Sequence, residues 1–121
     1  MARVLVVDDD PDLLTLVRIQ LRHHGHTVMT ASSGIDALEL VAAEGAPDVA
    51  VLDVSMPGMT GLELLGELRS LDGFADLPAV FLSARTTPDD IKAGTSLGAR
   101  YLTKPYVMAA LLKAIEDSIT P

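Results

Sequence analysis

The chain has 121 residues, 49% of them hydrophobic, and a mean hydropathy of +0.35, which is enough apolar material for one compact domain and too little length for two. A formal charge of −8 and a pI near 4.6 argue against a direct nucleic-acid binder, because phosphate backbones are held mainly by Lys and Arg. With no cysteine there is no disulfide framework, thiol nucleophile or thiolate metal ligand, and with no membrane-length apolar run and no signal-peptide pattern a cytoplasmic protein is expected.

The first apolar run, Arg3 to Val7, reads as a strand buried on both faces, and it ends directly in Asp8, Asp9 and Asp10. Carboxylates this close repel one another unless a positive group joins them, so the expected companion is a hard, oxygen-preferring cation such as Mg²⁺. Asp10 is best placed as the N-cap of a helix with Pro11 at its first position; Leu13, Leu14, Val17 and Leu21 form the apolar stripe and Gly25 ends it. Histidines 23, 24 and 26 cluster at that end, where the ordinary reading is a helix C-terminus and not a metal site.

Thr27 to Ala31 is the second strand, and Ser33-Gly34-Ile35-Asp36 has the form of a capping box opening a helix that carries Ala37, Leu38 and Val41. Val49 to Leu52 is the third strand, followed at once by Asp53. A second capping box, Thr60-Gly61-Leu62-Glu63, opens a helix with Leu64, Leu65 and Leu68, while Pro57 and Gly61 read as turn geometry. Ala79 to Leu82 is the fourth strand, ending at Ser83. Thr87-Pro88-Asp89-Asp90 supplies a cap, a proline and two acids for a fourth helix. A short strand from Tyr101 to Thr103 precedes Lys104, and a last helix runs from about Tyr106 to about Ser118 with Leu111, Leu112, Ile115 and Ile119 inward.

Strands alternating with helices across short connections predict an α/β fold with a parallel sheet. Right-handed crossovers put every strand's C-terminal end on one edge of it, where such sheets bind their ligands. That edge collects Asp8 and Asp9, Asp53, Ser83 and Lys104 from separate parts of the chain.

These stretches, Val6-Val7-Asp8-Asp9, Leu52-Asp53 through Thr60-Gly61, Leu82-Ser83-Ala84 and Tyr101-Leu102-Thr103-Lys104-Pro105, together resemble the receiver domain of two-component response regulators over essentially the whole chain, 1–121. The resemblance implies a flavodoxin-like doubly wound sheet of five parallel strands in the order 2-1-3-4-5 with five helices; the same order is a standard example for a chemotaxis receiver. It implies that Asp53 is the phosphoacceptor, taking a phosphoryl group from a phosphohistidine of a sensor histidine kinase or phosphotransfer protein. Asp9 would bind Mg²⁺ directly and Asp8 through water, with Asp53 and the Ser55 backbone carbonyl completing the protein ligands. Lys104 would pair with Asp53 before transfer and with a phosphoryl oxygen afterwards. Ser83 and Tyr101 would form the switch that changes the surface of helix 4, strand 5 and helix 5. A cis bond between Lys104 and Pro105 is implied as well.

The same resemblance implies an effector, either a separate protein or a domain beyond this chain, and a homodimer through helix 4, strand 5 and helix 5; it implies self-catalysed phosphoryl acceptance and loss with no separate enzyme activity. Two departures stand out. Gly98-Ala99-Arg100-Tyr101 is one residue shorter than the family loop, and Arg100 stands where an acid is common. Arg85, two residues past Ser83, is expected to alter phosphoryl lifetime. Two other readings compete: a phosphorylation-independent interaction module of the same fold, and a phosphatase of the haloacid dehalogenase type using Asp8. The phosphatase reading leaves Asp53 unused.

Overall fold

In the computed structural model, which describes residues 2–84 and 88–119, strands and helices alternate along the chain. They are β1 (Arg3–Val7), α1 (Pro11–His23), β2 (Thr27–Ala31), α2 (Gly34–Glu44), β3 (Val49–Leu52), α3 (Gly61–Arg69), β4 (Ala79–Ser83), α4 (Pro88–Ser96), β5 (Arg100–Thr103) and α5 (Met108–Ile119). All strand pairs are parallel and the sheet order is β2-β1-β3-β4-β5, the flavodoxin-like arrangement. The expected strands are present, β4 and β5 each one residue longer than predicted. The last helix starts at Met108 and not at Tyr106, since Pro105 and Tyr106 belong to the turn that follows Lys104.

Side chains alternate across a strand, so each central strand divides its apolar residues between the two faces. Leu5, Val7, Ala50, Leu52, Ala79 and Phe81 face a core closed by Ala37 and Val41 of α2 and Leu64, Leu65 and Leu68 of α3. Val4, Val6, Val49, Val51, Val80 and Leu82 face the other core, closed by Leu14, Val17 and Leu21 of α1 and Leu111, Ala114 and Ile115 of α5. Leu112 and Ile119, expected inward, pack against this second core while partly exposed. Burial on both faces is why β1, β3 and β4 read as continuous apolar runs.

The helix starts follow their local chemistry. Asp10 caps α1, its Oδ1 accepting from the N–H groups of Asp12 (3.0 Å) and Leu13 (3.4 Å). Thr60 and Glu63 form a reciprocal capping box at 3.1 Å each way. At α2 only half of the expected box forms: Ser33 accepts from the Asp36 N–H, but the Asp36 carboxylate accepts from the Ser32 hydroxyl instead of reaching back. Thr87, the expected cap of α4, lies outside the described residues. At the far end of α1, Gly25 takes a positive φ of 90°, which a side chain would disfavour.

Candidate functional site

Three main-chain hydrogen bonds carry the sheet one residue beyond its strands and hold the site residues in place. The Asp8 N–H donates to Ala31 O (3.2 Å), the Asp53 N–H to Val7 O (2.9 Å), and the Lys104 N–H to Ser83 O (2.8 Å). The parallel ladder therefore sets Asp8, Asp53, Ser83 and Lys104 side by side along the C-terminal edge. Asp8 and Asp53 are buried there, at 2% and 5% exposure, and Ser83 is fully buried, while Asp9 is exposed.

Carboxylate oxygens of Asp8, Asp9 and Asp53 lie within 4.8 Å of one another. The Lys104 ammonium sits among them, 2.7 Å from Asp8 Oδ2 and 3.7 Å from Asp53 Oδ2. The expected pairing of Lys104 with Asp53 is present as an ion pair, and a closer hydrogen bond to Asp8 accompanies it. The two carboxylates are held alike: Asp8 Oδ1 accepts the Asp10 N–H at 2.9 Å and Asp53 Oδ1 the Ser55 N–H at 3.2 Å, which leaves Oδ2 of each towards Lys104.

This crowding changes the acidity of the site. Burial, followed by the neighbouring Asp8 carboxylate, pushes the Asp53 carboxyl up to about 6, against the opposing pull of Lys104 and the Ser55 N–H. Burial works against the charge on Lys104, but its hydrogen bond to Asp8 and the charges of Asp8, Asp53 and Asp9 outweigh that and raise its pKa. Three carboxylates against one ammonium leave a cluster with excess negative charge and oxygen donors only, which is the donor set of Mg²⁺ or a similar hard cation.

Gly61 has a larger part than turn geometry alone suggested. A Cβ at Gly61 would collide with the carbonyl of Asp53, and the Gly61 N–H donates to Val54 O at 3.0 Å. The start of α3 can approach the backbone of the key carboxylate only because residue 61 has no side chain. A glycine opening a helix eight residues after Asp53 was the available signal, but its steric contact is visible only in three dimensions.

On β5, Tyr101 is partly buried beside Phe81, its partner in strand register, with ring centroids 6.3 Å apart. The bond between Lys104 and Pro105 is cis, as the resemblance implied. Arg85 lies outside the described residues. His23 and His24 stand edge to face with centroids 5.5 Å apart, and His26 Nδ1 accepts the Ala2 N–H. Among the described residues the histidines join no metal-ligating cluster.

The family model of the response regulator receiver domain matches residues 4–116. The chain belongs to this family. Among curated proteins, the transcriptional regulatory protein KdpE of Mycobacterium tuberculosis is 42% identical over 120 residues, 98% of this chain and 51% of that protein. PrrA of Mycobacterium leprae is 44% identical over 115 residues, 94% of this chain and 48% of that protein. The receiver domain spans about half the length of these curated relatives. Among solved structures, the chemotaxis protein CheY4 of Vibrio cholerae matches at 34% identity and a TM-score of 0.89, covering 98% of both chains. TrrA of Thermotoga maritima, solved in complex with Mg²⁺ and BeF, matches at 30% identity and 0.81, covering 97% of this chain and 98% of that one. Among the described residues, no helix of this receiver domain is long and apolar enough to cross a membrane.

Proposed function

We propose that this receiver domain is a cytoplasmic phosphorylation switch in which Asp53 takes a phosphoryl group from a phosphohistidine on a sensor histidine kinase or phosphotransfer protein. The observation that carries the reading is the placement of Asp53: a buried carboxylate at the end of β3, within reach of two further carboxylates and 3.7 Å from an ammonium. In the transfer, an Asp53 oxygen attacks phosphorus, the P–N bond to imidazole breaks, and the imidazole leaves with a proton. The acceptor must be ionised, and Lys104 favours that form.

Asp9 would hold Mg²⁺ directly and Asp8 through water, with Asp53 and the Ser55 carbonyl as the other protein ligands. When bound, the cation offsets negative charge on the transferring phosphoryl group. Lys104 supplies the second positive charge, and its neighbours allow it to serve Asp8 at rest and a phosphoryl oxygen after transfer. The Ser83 hydroxyl, at the end of β4, would hydrogen-bond the phosphoryl group. Its movement and that of Tyr101 would convert added charge into a changed α4, β5 and α5 surface. That surface would meet an effector, as a separate protein or a domain beyond this chain, or a second copy. Acceptance of the phosphoryl group and its loss to water are self-catalysed, with no separate enzyme activity.

The test is labelling by a small acyl phosphate donor with and without Mg²⁺, read by intact mass. Wild type is expected to gain one phosphoryl group only with Mg²⁺, and Asp53→Asn none. Unlabelled wild type, or labelling that persists in Asp53→Asn at Asp8, overturns the proposal.

A further inference from the structure

Helix α4 is held differently from the other helices. Each of α1, α2, α3 and α5 buries at least two aliphatic side chains against the sheet. In α4 the buried position among those described is Gly94, and Ile91 is 39% exposed. A helix without an apolar stripe gains little from packing, so other contacts must position it.

One such contact is the bare backbone at Gly94. A Cβ there would stand 3.0 Å from Tyr101 Cδ2 and 3.1 Å from Phe81 Cδ2, so α4 rests directly on the two rings. A second is made by Arg69, the last residue of α3. Its Nη1 donates to Leu97 O at 2.6 Å, and its Nε and Nη2 donate to Leu77 O at 3.2 and 2.9 Å. Leu97 follows α4 directly, in a turn closed by hydrogen bonds from the N–H groups of Leu97 and Ala99 to Gly94 O and of Gly98 to Thr95 O. One planar guanidinium thus ties together the end of α3, the approach to β4 and the end of α4. Because β4 and α4 run in opposite directions, this knot lies at the edge of the sheet away from Asp53 and Ser83.

We propose that Arg69 is a positioning residue for the switch: it fixes the C-terminal end of α4, so the response to phosphorylation is carried by the helix's first turns and pivots at the Leu97 carbonyl. The inference rests on the reading of Asp53 as the phosphoacceptor. The fork geometry matters as well as the charge, since a lysine presents no rigid set of parallel donors to bridge two carbonyls.

Hydrogen–deuterium exchange read by mass spectrometry tests this, using beryllium fluoride with Mg²⁺ as the phosphoryl mimic. In wild type the mimic is expected to slow exchange around residues 53–60, change it in the first turns of α4, and leave residues 97–99 unaltered. Without the mimic, Arg69→Ala is expected to speed exchange at 97–99 about tenfold while sparing β1 and β3, and with it the response should spread along all of α4. Arg69→Lys, which keeps the charge, should behave like Arg69→Ala, and it carries the test if the alanine variant does not fold. Unchanged exchange at 97–99 in both variants, or full rescue by lysine, overturns the pivot. Protection at 53–60 in wild type with no response in the first turns of α4 overturns it while leaving the phosphoacceptor standing. No protection at 53–60 removes the phosphoacceptor reading and the pivot with it.

Discussion

Asp53 is held in an environment that opposes its own charge. Its carboxyl, pushed up to about 6 by burial and by Asp8, binds a proton more tightly folded than unfolded, where an ordinary value of 3.8 applies. A group raised in this way adds stability below about pH 4 and loses it as pH rises through about 6. In EDTA at pH 8, Asp53→Asn is therefore expected to stabilise the domain by an amount on the order of 3 kcal/mol, with the gain disappearing towards pH 4. Urea denaturation across that pH range checks it, and a gain independent of pH would mean that packing and not charge is responsible. Such a result is the expected signature of a carboxylate kept for chemistry at the expense of stability. Asp10, next to the same cluster, is exposed and its carboxylate caps α1.

At the level of elements, two helical glycines that look alike in sequence have opposite surroundings. A Cβ at Gly66 in α3 meets nothing within 4 Å, whereas one at Gly94 in α4 meets the rings of Tyr101 and Phe81. Gly66→Ala should raise stability by about 0.5–1 kcal/mol through helix propensity and a less flexible unfolded chain. Gly94→Ala should yield no gain, because α4 or the rings must shift to admit the methyl group. Chemical denaturation of the two variants side by side distinguishes them; equal gains would show that α4 does not rest on the rings. Element starts were readable because capping is local: the Asp10 and Thr60 caps formed as expected from a few neighbouring residues. The half-formed box at Ser33 was not, because Asp36 had a competing partner in the Ser32 hydroxyl.

Across the whole molecule, excess negative charge at one sheet edge makes native-state stability a reporter of cation binding. A ligand at a hundredfold excess over its dissociation constant adds about 2.7 kcal/mol if it binds only the folded form, or roughly 10 °C in Tm for a domain of this size. Mg²⁺ is expected to raise Tm in this way relative to EDTA, with the effect much reduced in Asp9→Asn; a scan insensitive to Mg²⁺ would argue against the cation site. By itself the sequence determined the strand and helix alternation, the sheet edge that carries the site, and which residues gather there. Those features follow from hydrophobic periodicity, local capping and the near-invariant handedness of parallel crossovers. Only the tertiary structure decided that Lys104 leans on Asp8, that Gly61 must be bare beside the Asp53 carbonyl, and that Arg69 ties α3 to the end of α4. Each of these joins residues from different elements, where the outcome depends on which of several nearby partners is closest and on how much space the packed backbone leaves.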